Sequence, residues 1–253
     1  MSTTTARTSE PRPHERDFHP YRRTVWRVVE AQHRISTNRL ANTQQDQALL
    51  EVLIERVKPA LPRAAAGLHF LLATPFRYGY QRSTRFRRAG EHPGIFYAAE
   101  HAATAIAEIA WARLYFLSRS PGVTPPNGTI EHTAFTIAIA ARRSLDLTAP
   151  PFVRAARIWT DPNDYTACQT FAAAARAIEA QAIRYASVRD PQHRANIAIL
   201  DPAVFRGEPK IMQTWHFRIE QNAVTAVAAF PGDEQFRFEA HDFGLSHQRE
   251  TQL

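Results

Sequence analysis

At 253 residues, 44% of them hydrophobic, the chain is long enough to bury a proper core and too apolar for a disordered segment. A net charge of +7, with only Lys58 and Lys210 among its 31 basic residues not arginine, favours anionic partners, since the guanidinium fork suits phosphate. The lone cysteine, Cys168, excludes an internal disulfide and a multi-cysteine zinc site, and apolar runs broken by charge well before about 18 residues exclude a membrane-spanning helix.

Residues 1–20 are polar, hold three prolines and have no apolar periodicity, so they are expected to form a flexible leader. No apolar stretch of the signal-peptide kind occurs there, and a cytoplasmic location is expected. Residues 21–253 are expected to form a single domain. The β-branched run TVWRVV at 24–29 predicts a strand. Leu49, Leu50, Leu53, Ile54 and Val57 recur at helical spacing over 44–58, and Pro59 and Pro62 end that helix. The apolar stretch LHFLLA at 68–73 predicts a short buried strand. Residues 75–94 predict a long loop crowded with arginine and aromatics, and a loop of that length in a compact domain is usually functional. Then come a strand at 95–99, a helix at about 102–117, a strand at 131–140, helices at 153–160 and 165–181, and strands at 182–186 and 196–200. The stretch from Gln213 to Ala240, with its PGDE turn, predicts an antiparallel meander. Strands and helices mixed without strict alternation imply an α+β fold around a mixed sheet flanked by helices.

Glu108 is the only acid in TAIAEIAWARLYFL, an almost wholly apolar helix. At 100° per residue its surface neighbours include Ala105, Trp111, Ala112 and Tyr115, which leaves room beside the carboxylate. A buried carboxylate must be paired or hydrogen-bonded, so Glu108 is either an arginine's partner or a ligand-binding acid. Arg77, Arg82, Arg85, Arg87 and Arg88 crowd one loop, either solvated or gathered around an anion. Alternation puts Phe96 and Ala98 on one strand face and Ile95, Tyr97 and Ala99 on the other. Taken singly, Tyr97 reads as a core tyrosine and Ser187, after the strand AIRYA, as turn chemistry. No dinucleotide-fold or P-loop glycine pattern, no HExxH, no GxSxG and no histidine spacing for a metal is present, so no metal is expected.

Together these residues resemble the RES domain, a family named for an arginine, a glutamate and a serine. The likeness covers about residues 24–230 and is densest in STRFRRAGEHPGIFYAAEHAATAIAEIA. It rests on Thr84-Arg85-Phe86, where Thr84 replaces the usual glycine, on Pro93-Gly94, on Tyr97-Ala98-Ala99-Glu100, on Ala105-Ile106-Ala107-Glu108, on the segment Arg184 to Arg189 around Ser187, and on Trp26-Arg27. The resemblance implies an ADP-ribosyltransferase-like fold and a bacterial toxin that breaks the nicotinamide–ribose bond of NAD. It implies no cofactor, with NAD as substrate and phosphate as co-substrate, and a cognate antitoxin protein as partner in a homo- or hetero-oligomer. On that basis Glu108, Arg85, Tyr97 and Ser187 are expected to be catalytic, and Arg27, Arg77, Tyr78, Phe86 and Arg85 to bind NAD or phosphate. Transfer of ADP-ribose to a protein is the alternative activity, and a basic nucleic-acid-binding module the alternative of another class.

Overall fold

A computed structural model describes residues 11–31, 43–120 and 122–245. Residues 1–10 of the expected leader and the chain end at 246–253 lie outside the described residues. In chain order the elements are β1 (His19–Glu30), α1 (Gln44–Val57), α2 (Phe70–Arg77), β2 (Phe96–Ala99), α3 (Ala102–Ser118), β3 (Thr129–Asp146), α4 (Thr166–Ala177), β4 (Ala182–Ala186), β5 (Ala195–Ile199), β6 (Phe205–Ile219), β7 (Ala223–Ala228) and β8 (Gln235–Glu239). The fold is α+β, as the sequence implies, with an eight-stranded mixed sheet. Among the described residues no helix is long and apolar enough to cross a membrane.

Three expectations need correction. The second half of the expected leader is ordered, with Glu15–Asp17 in a 3-10 turn and β1 starting at His19. The stretch 68–73, read as a strand, instead leads into α2. There His69 turns its ring to accept the Leu71 amide as an N-cap, and the helix runs through Pro75. A short apolar run carries no period that separates strand from helix. Around residues 153–160 the expected helix is a 3-10 turn followed by one short helical segment.

The sheet closes on itself. β1 pairs with β2, β2 with β5, β5 with β4, β4 with β3, and β3 returns to β1, while β6, β7 and β8 extend from β3 as the expected meander. Only the β3–β4 pair is parallel. One face of all five ring strands converges in a single core that includes Val25, Phe96, Ala98, Ile137, Ile139, Ala182 and Ile197, plugged by Leu72 and Phe76 of α2. The β1–β2 seam is narrow, with Trp26 opposite Ala99 as its one register pair.

The outer face of the ring is covered twice. α3 lays Ala105, Ile106, Ala110 and Leu114 against Val28 of β1 and against Phe217, Val224 and Phe238 of the meander. α4 lays Cys168, Phe171 and Ala175 against Ile183, Tyr185 and Ala198. Between these two packed layers the outer face of β1, β2, β5 and β4 is left partly uncovered, and that gap forms a cavity.

A polar cluster joins three ring strands. Glu100, just past β2, accepts from the Tyr21 hydroxyl at 2.7 Å and from Arg184 at 2.7 and 3.1 Å, and Arg184 also reaches Asp146 at 3.2 Å. Burial opposes ionisation of Glu100, but the hydrogen bonds from Arg184 and Tyr21 and the nearby cations outweigh it and hold the carboxyl below its ordinary range. Glu100→Ala should therefore cost about 2–3 kcal/mol, measured by urea unfolding at neutral pH. Because the folded-state value is depressed, this stabilisation is present above the unfolded carboxyl value of about 4.3 and is lost as the pH falls through the lower folded value. The gap between wild type and Glu100→Gln should shrink accordingly in acid.

Candidate active site

The cavity measures about 320 Å³, within the lower range for small-molecule sites. Its floor is sheet: Trp26 of β1, Tyr97 and Ala99 of β2, Tyr185 of β4 and Asn196 of β5. These side chains share the outer face, because Trp26 is opposite Ala99, Ala99 opposite Asn196, and Tyr185 opposite Asn196. One wall is α3, with Ala105, Glu108, Ile109 and Trp111, and the other carries Arg85, Tyr165 and Arg189.

Glu108 projects from α3 into this space, and the small Ala105 beside it leaves the room its spacing implies. Its Oε1 accepts from Ser187 Oγ at 2.7 Å and from Asn196 Nδ2 at 2.6 Å. Both donors are buried, so the bonds are sheltered from water. Ser187 is itself fixed, since its Oγ accepts the amides of Arg189 at 3.1 Å and Asp190 at 3.0 Å. Asp190 then ties this turn back to α3 by accepting from Thr104 at 2.6 Å, and it pairs with Arg194 at 2.6 Å. The serine thus does more than shape its turn. It is a relay between backbone amides and the carboxylate.

The loop arginines separate into different jobs. Arg85 enters the cavity, where its Nη1 donates to the carbonyls of Trp159 and Asp161 at 2.8 and 2.9 Å and its guanidinium lies 4.6 Å from the centre of the Tyr165 ring. Arg87 is buried and donates to the carbonyls of Tyr80, Arg82 and Arg88, which organises the loop from within. Arg88 turns to Glu91 and Thr170. Arg77, expected in the site, ends α2 and donates to the carbonyl of Pro59 instead. Tyr78, also expected there, stands beside Tyr80 and does not line the cavity. Phe86, the third such residue, is buried edge-on against Tyr185 and does not line the cavity either. Gly94 accounts for the Pro-Gly pair, because a Cβ there would fall 1.9 Å from the carbonyl oxygen of Pro75.

Arg27 reaches the cavity from the seam of the ring. It donates to the carbonyl of Tyr97 and lies over the Phe96 ring at 4.6 Å, while its buried Nε has no hydrogen-bond partner among the described residues. Burial lowers its guanidinium to about 10, so it remains a cation at neutral pH. Tyr97 lines the cavity, but its hydroxyl points to the loop. It shares a bond of 2.8 Å with Thr84 Oγ1 and accepts the Phe86 amide at 3.2 Å. Burial pushes the phenol up to about 12, against the lowering effect of those bonds. Thr84, where the resemblance leads one to expect glycine, thus supplies a hydroxyl that holds the Tyr97 phenol against the loop.

Residues that the sequence did not single out complete the site. Arg189 stacks 4.0 Å from the Trp111 ring centre and donates to the Pro162 carbonyl and the Tyr165 hydroxyl at 2.7 and 3.1 Å. Asn196 had a legible signal: an amide inside ANIAIL, a strand otherwise of alanine and isoleucine, has to bond something polar. Trp111 had its helical spacing from Glu108 as a signal, whereas Tyr165 had none, because an aromatic at a helix edge most often serves the core.

Tyr97→Phe should release the arginine loop, lowering stability by about 1–2 kcal/mol in urea unfolding and raising amide exchange at Phe86, with β2 itself intact.

The sequence matches the family model of the RES domain over residues 60–220. No curated protein matches it. A solved structure, the toxin–antitoxin complex MbcT–MbcA of M. tuberculosis, aligns at a TM-score of 0.45 and 14% identity, covering 81% of this chain and 87% of that one. The family match spans more than half the sequence and takes in Arg85, Glu108 and Ser187, so the chain belongs to the RES-domain family.

Proposed function

We propose that this cavity cleaves the nicotinamide–ribose bond of NAD and passes the ADP-ribosyl group to inorganic phosphate, as part of a toxin restrained by an antitoxin protein. The observation that supports this most directly is a carboxylate, Glu108, held through one oxygen by Ser187 and Asn196 in a cavity walled by Arg27, Arg85 and Arg189. The antitoxin follows from the family resemblance, as does the choice of NAD.

NAD carries a cationic pyridinium, and its leaving nitrogen needs no proton. The C1′–N bond breaks with its electron pair moving to the ring nitrogen, which becomes neutral nicotinamide. Positive charge grows on the ribose carbon, and a carboxylate close to the ribose hydroxyls stabilises it, as in glycoside cleavage. Glu108 performs that task. Arg85 and Arg27 hold the pyrophosphate, and Tyr97 with its neighbours provides an aromatic floor for nicotinamide. A phosphate oxygen, oriented by guanidinium groups, then forms the new C1′–O bond and gives ADP-ribose 1″-phosphate.

Purified protein incubated with NAD, with and without phosphate, should release nicotinamide at a phosphate-dependent rate, with the sugar phosphate identified by mass. Free ADP-ribose alone would mean water is the acceptor, and a mass increase on a protein would mean transfer to a side chain. Salt-sensitive nucleic-acid binding without NAD turnover would overturn the enzymatic assignment altogether. Glu108→Gln, which keeps the shape and removes the charge, should lower kcat about 100-fold or more. Wild-type turnover in that variant would exclude Glu108 from the chemistry.

A further inference from the structure

We infer that Asn196 is a positioning residue for the reaction, orienting Glu108 so that its second oxygen is the one presented to substrate. This rests on the proposed NAD cleavage at the same cavity.

Ser187 Oγ and Asn196 Nδ2 reach the same atom, Glu108 Oε1, at 2.7 and 2.6 Å. A carboxylate oxygen has two lone-pair directions, and here both are taken. A single donor would let the carboxyl group turn about its terminal bond, a soft torsion, and exchange its oxygens. Two donors from different elements, one from the turn after β4 and one from β5, fix the plane. Oε2 is then the atom left for a ribose hydroxyl.

Asn196 is well suited to this. It sits mid-sheet, between β2 and β4, and its neighbours on β5 are all buried. Its backbone cannot shift without breaking two ladders. Tyr185 stands directly opposite it in the β4–β5 register and packs the same face. A buried amide in an apolar strand is costly unless bonded, and here one of its two N–H donors goes to Glu108 while the side chain also hydrogen-bonds Tyr185. A polar side chain that merely filled space would be replaceable by an isosteric one. One that donates to a carboxylate would not.

The test compares three variants. Asn196→Ala should lower kcat about 10- to 100-fold while the KM for NAD stays within about threefold. Asn196→Asp keeps the shape but replaces the donor by a like charge, and should be slower than the alanine variant. Ser187→Ala combined with Asn196→Ala should lose less than the product of the two single losses, because both act through one oxygen. The bond is also read without turnover. The Asn196 side-chain amide proton should resonate downfield in the wild type and move upfield in Glu108→Gln.

The inference is overturned by near-wild-type kcat in Asn196→Ala, by an effect confined to KM, by an aspartate variant faster than the alanine one, or by an amide resonance indifferent to Glu108→Gln. A wild-type protein inert toward NAD overturns the proposed function and the positioning role with it, while the resonance still reports on the bond separately.

Discussion

A carboxylate on a helix packed among apolar groups is the constraint around which the site is organised. Among the described residues no cation hydrogen-bonds Glu108 directly, and neutral donors satisfy one of its oxygens instead. That choice has consequences through the surrounding elements. The serine must be held by its own turn, the turn must be tied to α3 through Asp190 and Thr104, and β5 must bring Asn196 within hydrogen-bond reach of the carboxylate. An ion pair with arginine would have met the cost of burial more simply, but it would have neutralised the group.

The arginines show the complementary economy. Arg87 and Arg85 lie two residues apart in one loop, yet one is a structural strut on three carbonyls and the other faces the cavity. Arg85 and Arg189 are steadied on the backbone of residues 159–162 and on the two sides of Tyr165, its ring and its hydroxyl. Cations in a partly dry space are thereby kept in place by neutral dipoles, and their charge stays available to an anion.

Much of this was legible in the sequence. A solitary acid among alanines and isoleucines at helical spacing singled out Glu108, and strand alternation put Tyr97 and Phe96 on opposite faces without saying which one bears the cavity. The fold class followed from the order of the elements. Directions within irregular segments were not legible. Arg77, Tyr78 and Phe86 stand close to Arg85 in the chain, but the loop's path is decided by the buried Arg87, bonded to carbonyls within the loop, and by the hydroxyl of Tyr97, reaching back from β2, and neither set of partners is revealed by sequence order. LHFLLA misled because an apolar run is equally compatible with a helix that plugs a sheet. The polar character of Asn196 in an apolar strand was legible, but its partner was not, because Glu108 lies 88 positions earlier on the helix that covers the same sheet face.

The narrow seam between β1 and β2 bears on what holds the cavity floor. Trp26 and Ala99 are the one pair in register there, and both line the cavity floor. Everywhere else around the ring, longer ladders of main-chain bonds hold neighbouring strands together, and prising them apart would break several bonds at once. At this one place a single main-chain pair is supplemented by side chains: Arg27 on the Tyr97 carbonyl and the Phe96 ring, and Tyr21 on Glu100. The width of the floor between β1 and β2 is therefore held more by side-chain contacts than by main-chain bonds.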